Sequence, residues 1–132
     1  MVNRLTLEVD GSNKRYNTES YSISLAQPTT DSNGRPSGET HLDNISVHIT
    51  RNSEEDDSLF VDWQLKSNMQ KDLAICFYDA DRLIRQIKMK GAYLVGYQQS
   101  SNEPGMVDES LTFAIQELEL DKANWKRRER NK

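Results

Sequence analysis

A mainly β fold, a small antiparallel β-barrel or sandwich with one lateral α-helix, is predicted by three features of the chain. Apolar and polar residues alternate with a period of two in several short segments, turn residues separate those segments, and only one stretch has apolar residues at helical spacing. The chain has 132 residues, 35% of them hydrophobic and 29% charged, with a net charge of −4. Leu, Ile, Val and Phe make up about 21% of it, just above the level at which high charge goes with disorder. A chain this short hides only part of its surface, so its core is thin and a deep buried active site is not expected.

Leu5, Leu7 and Val9 alternate with Arg4, Thr6 and Glu8, and Asp10-Gly11 supplies a turn. Tyr21, Ile23 and Leu25 repeat the pattern against serines, and both stretches read as antiparallel strands with one wet face. From about residue 27 to 39 the chain holds turn residues and almost nothing to bury, which marks an extended loop with its own purpose. Ile45, Val47 and Ile49 then alternate with Ser46, His48 and Thr50.

The helix is expected at about residues 54–67. Ser53 is placed to cap it, the acidic run Glu54-Glu55-Asp56-Asp57 suits the positive end of the helix dipole, and Leu59, Phe60, Val61, Trp63 and Leu65 supply an apolar face. The run from Leu73 to Tyr78 is apolar on both faces and therefore central. A long strand follows from Leu83 to Gln98, too long to stay straight, so a bend or bulge is expected near Gly91 or Gly96. Gln99 to Asp108 reads as a polar loop, and Leu111, Phe113 and Ile115 as the last strand. Residues 1–120 thus form one barrel domain, and residues 121–132, with six basic groups against two acids, form a basic, flexible C-terminal tail.

Several function classes are excluded. No stretch has the roughly 18 apolar residues of a spanning helix, so membrane insertion is not expected. The start, Met1 to Glu8, lacks the apolar region of a signal peptide, so the expectation is a cytoplasmic protein that bypasses the general export signal. Cys76 is the only cysteine and lies in an apolar run, which suits a buried small hydrophobe. His41 and His48 fall seven apart in one strand region, on opposite faces, with no nucleophile or base at a recognisable spacing. Neither a catalytic residue, a cofactor site nor a metal site is predicted. The tail lacks aromatic interleaving beyond Trp125, so no nucleic-acid partner is expected either. A basic end facing the acidic body of a neighbouring copy uses the same charge asymmetry.

Four motifs in order resemble the Hcp (TssD) tube proteins of type VI secretion systems, in the short form associated with Bacteroidetes. They are the loop Asp31-Ser32-Asn33-Gly34-Arg35-Pro36-Ser37, then Phe60-Val61-Asp62-Trp63, then Ile75-Cys76-Phe77-Tyr78, and Lys90-Gly91-Ala92-Tyr93-Leu94-Val95-Gly96-Tyr97. The resemblance covers most of the chain. It departs at Gly38, at Leu42-Asp43-Asn44, and in the basic residues after Leu120.

The resemblance implies a barrel that assembles as a homo-hexameric ring. Rings stack into a tube inside a contractile sheath with spike and baseplate proteins, carry effectors in the lumen, and leave the cell through the type VI apparatus without a signal peptide. No catalysis is implied. The expected assembly residues are Asp31, Asn33, Gly34, Arg35, Pro36 and Ser37, with Arg35 as a charge contact and Gly34 and Pro36 setting the loop shape. Two other readings fit the same residues: a monomeric ligand-binding or adaptor β-barrel, and the tube subunit of a related phage-tail-like contractile particle.

Overall fold

A computed structural model describes residues 2–27, 40–66 and 68–127. The alternating segment near the start forms β1 (Arg4–Val9), which turns at Gly11, where φ is +86°, into β2 (Arg15–Ser22). β2 begins earlier than the alternation suggests and bulges at Glu19, where the register against the next long strand shifts between Thr18 and Ser20. Leu25, expected in the same strand, instead lies in β3 (Leu25–Ala26), paired with β4 (His41–Leu42). β5 (Ile45–Asn52) follows, so His41 and His48 sit on separate strands and not in one.

The helix α1 spans Leu59–Leu65, shorter than the expected 54–67. Ser53 does not cap it: its hydroxyl donates to the Pro104 carbonyl at 2.6 Å and its N–H bonds the Gly105 carbonyl, which ties it to a distant turn. The acidic run precedes the helix, and Asp57 accepts the Leu59 N–H at 3.0 Å. Of the expected apolar face only part is used. Phe60 and Trp63 are buried, whereas Val61 and Leu65 point to solvent.

β6 (Lys71–Asp79) and β7 (Arg82–Glu103) form a hairpin about the Asp79-Ala80-Asp81 turn. β7 has 22 residues, about 70 Å if straight. It bends at both expected glycines: the register against β6 shifts between Lys71 and Leu73, opposite Gly91 with φ +64°, and the register against the following strand shifts between Leu94 and Gly96. The polar stretch read as a loop is mostly strand, because β7 continues to Glu103 and β8 (Met106–Ala114) returns directly along it. β9 (Glu117–Leu120) continues that ladder, and β10 (Ala123–Lys126) pairs with β9. Residues 123–127 are therefore held, unlike the flexible tail expected from 121: Trp125 Nε1 donates to the Thr40 carbonyl at 3.1 Å and the Arg127 N–H to the Gln116 carbonyl at 2.7 Å.

The pairings β7–β6–β1–β2–β5–β8–β7 return to their start, closing a six-stranded antiparallel barrel, with β9 and β10 attached outside the ring. Its interior holds Leu7, Val47, Ile75, Ile87, Met89, Leu111 and Phe113, all fully buried. Trp63 of α1 enters this core against Phe113, ring centroids 5.5 Å apart, and donates its indole N–H to the Met69 carbonyl at 2.7 Å. Phe60 meets Tyr16 edge-on at 4.8 Å.

Candidate assembly surface

β2, β5, β8 and the far half of β7 make one continuous four-stranded sheet within the barrel. Its inward face is the core. Its outward face is set by the registers, which align three rows across the strands: Ser22, Ser46, Thr112 and Gly96; Ser20, His48, Ser110 and Gln98; Asn17, Thr50, Asp108 and Ser100. Small hydroxyl and amide groups make up most of these rows, with His48, Asp108 and Gly96 among them, as the serine and threonine parity of the sequence suggests. His48 Nδ1 lies 3.1 Å from Ser110 Oγ, and Asn17 Nδ2 donates to Thr50 Oγ1 at 3.1 Å. Gly96 keeps the first row flat, since a Cβ there would come 3.2 Å from Thr112 Cβ.

Both edges of this sheet are open. β6 leaves β7 at Ala92, so on that side Gly96 to Glu103 has no strand partner among the described residues. β1 leaves β2 at Asn17, so Thr18 to Ser22 is likewise open on its β1 side. Neither edge carries lysine, arginine or proline; the guards present are Glu19 at the β2 bulge and Glu103 at the end of β7. Strand directions alternate across four strands, so a second copy placed head-to-tail brings its β2 antiparallel to β7 of the first.

A buried polar cluster holds the far half of β7 in place. Glu109 on β8, only 2% exposed, points inward with Leu111 and Phe113. Arg51 Nε on β5 donates to its Oε1 at 2.5 Å, Tyr97 on β7 donates its hydroxyl to Oε2, and Arg51 Nη1 reaches the Glu55 carbonyl at 3.0 Å. Burial works against the Arg51 charge, but the Glu109 carboxylate outweighs it and holds the guanidinium above its usual pKa. Burial and the same carboxylate both push the Tyr97 phenol up. Beside this cluster Tyr16 donates to Asp57 Oδ2 at 2.7 Å, and Lys14 Nζ lies 3.4 Å from the same oxygen. Burial opposes the Asp57 charge, yet the Tyr16, Leu59 N–H and Lys14 contacts win and lower its pKa.

On the opposite wall Glu8 accepts from Tyr78 at 2.6 Å and from Thr6 at 3.3 Å, and the Arg15 guanidinium covers the Tyr78 ring at 4.8 Å. The Glu8 hydrogen bond, with burial, pushes the Tyr78 phenol up to about 12. Cys76 is buried, and burial with the nearby Glu8 charge pushes its thiol up to about 11, leaving it protonated and unreactive at neutral pH. No group of three or more His, Cys, Asp or Glu placed to hold a metal ion occurs among the described residues. No helix of the described residues is long and apolar enough to cross a membrane.

The sequence-predicted loop residues Asp31, Asn33, Gly34, Arg35, Pro36 and Ser37 lie outside the described residues. Sequence reasoning missed Glu109, although it shares the parity of Leu111 and Phe113 and so had to face inward. It also missed the β7 edge, because a polar run without apolar alternation carries no strand signal.

A family model described as hemolysin coregulated protein Hcp (TssD) matches residues 1–128. Among solved structures, Hcp1 from Flavobacterium johnsoniae is similar with a TM-score of 0.78 and 25% identity, over 95% of this chain and 100% of that one. A type VI secretion system effector from Yersinia pestis shares the fold with a TM-score of 0.65 and 10% identity, over 92% and 98% of the two chains. So does a chain of the anti-feeding prophage baseplate, with a TM-score of 0.55 and 11% identity, over 89% and 93%. No curated protein sequence matches the chain.

Proposed function

The chain belongs to the Hcp (TssD) family, and on that premise we propose that it is a structural subunit of the type VI secretion inner tube, forming hexameric rings that stack inside a contractile sheath. The observation that carries this reading is the four-stranded sheet with two open edges whose strand directions match head-to-tail. Copies joined at those edges form a closed ring whose sheet runs on from subunit to subunit, and closure pairs both of these open edges at once. The three polar rows then face a water-filled lumen that admits effector proteins.

Sheath, spike and baseplate proteins are the remaining partners. The protein is made in the cytoplasm and leaves through the apparatus without a signal peptide. Residues 1–120 carry the barrel, and the loop at about residues 27–39 reaches an adjacent subunit or ring, with Arg35 as its charge contact. The role is structural and involves no enzymatic step. The fold shared with the anti-feeding prophage baseplate chain suits the related phage-tail-like particle as the second reading.

Light scattering and negative-stain imaging of the purified full chain at tens of micromolar test the assembly. Rings with the mass of six chains are expected. A stable monomer overturns the proposal in favour of an adaptor barrel. Arg35→Glu is expected to leave the monomer folded while impairing stacking and export; unchanged tubes would remove the loop from the assembly.

A further inference from the structure

An exposed apolar groove and a single exposed leucine lie at the same end of the two open edges. Beside the β7 edge, Leu65 is 78% exposed and Val95 48%, on either side of a groove between α1 and β7 that also holds Met69 and Tyr93. Beyond the β2 edge, three residues past Ser22 and in β3, Leu25 is 44% exposed. The groove leaves Leu65 and Val95 together in water, which is costly, and Leu25 is of the size to fill it. One charge accompanies each side. Lys66 follows Leu65, while Asp43 stands beside Leu25, held there by its N–H to the Ser24 carbonyl at 3.0 Å. Both side chains are exposed, and neither takes part in an ion pair within its own chain among the described residues.

We infer that the Leu65 and Val95 groove of one copy receives Leu25 of the adjacent copy, with Lys66 facing the neighbour's Asp43. The inference rests on the ring reading and adds to it the apolar lock and the charge pair that fix its register. Strand pairing alone tolerates slippage along polar edges such as Gln98 to Asn102. An apolar anchor in a groove and one opposite-charge contact remove that freedom, and they favour head-to-tail contact over like-to-like pairing of two β7 edges, which would leave both the groove and Lys66 without their partners.

The double variant Leu25→Cys with Leu65→Cys tests the contact in the full chain, because native Cys76 is buried and protonated. Mild oxidation with diamide should convert assembled rings into a reducible ladder of covalent oligomers up to six, while each single variant gives none. Rings that assemble without a ladder overturn this contact and leave the ring reading standing. Absence of rings from the unsubstituted chain overturns both. A charge swap provides the second readout: Lys66→Glu should weaken assembly at least tenfold, and adding Asp43→Lys should restore it. Assembly unaffected by Lys66→Glu removes the charge pair.

Discussion

Arg51 and Glu109 form an ion pair 2.5 Å long inside the barrel, between β5 and β8, with side chains only 12% and 2% exposed. Both charges have left water, so each depends on the other and on the Tyr97 hydroxyl and Glu55 carbonyl that complete their hydrogen bonds. Removing one partner strands the other. Glu109→Leu is expected to cost about 3–5 kcal/mol in urea unfolding, whereas Arg51→Met combined with Glu109→Leu should recover most of that loss. A double variant no better than the single one would show that the pair contributes more than its own desolvation.

Acid should weaken the fold through Asp57 and Glu8. The folded-state pKa of each lies below its ordinary value, 3.8 and 4.5, because hydrogen bonds from Tyr16 and Tyr78 outweigh the effect of burial. A lowered carboxyl pKa contributes stability that is present above the unfolded value and lost as pH falls through the folded one. The urea midpoint should therefore hold from neutral pH to about 5 and fall below about 4. Asp57→Asn should lower stability at neutral pH and flatten that fall.

α1 is attached by one side. Trp63→Ala removes a fully buried side chain and its bond to the Met69 carbonyl, and should cost about 3–5 kcal/mol. Leu65→Ala, two residues on, should change monomer stability by less than about 0.5 kcal/mol because that side chain faces water. Denaturant melts of the two variants under monomeric conditions make the comparison.

Gly91 sits at φ +64°, and a Cβ there would meet Gln116 Cγ at 2.9 Å. Gly11 has a similar backbone, φ +86°, with nothing within 4 Å. Gly91→Ala should cost roughly 2 kcal/mol and Gly11→Ala roughly 1, the difference measuring the crowding at the β7 bend.

Truncation after Leu120 removes β10, which pairs only with β9 and lies outside the closed ring. The six-stranded barrel should persist, with its β circular-dichroism signal, while the lost Trp125 bond to Thr40 should loosen the β3–β4 pair and lower the melting temperature. A chain that fails to fold would mean that β10 is integral to the barrel.

Much of this architecture was legible from local pattern. Alternation at Leu5 to Val9 and Ile45 to Ile49 marks strands because side-chain direction repeats every two residues regardless of partners. The bends at Gly91 and Gly96 were legible because a straight strand of that length has no place in a small barrel. The helix start was misplaced because Ser53 has the chemistry of a cap, and only the fold brings the Pro104 carbonyl within 2.6 Å to claim its hydroxyl. Within the described part of the tail, charge suggests a solvated end, whereas Trp125 and Arg127 find carbonyls on segments remote in sequence.

By itself the sequence determined the β class, the aromatic face of the helix, the inward parity that carries Glu109 and the family resemblance, since each depends on residue type and spacing within a few positions. The tertiary structure alone decided which strands close the ring, that the polar run Gln98 to Glu103 is a strand, and that β2 and β7 each keep an open side. Those outcomes depend on hydrogen bonds between residues far apart along the chain, whose backbone groups are the same for every residue type except proline and so leave no mark in the sequence.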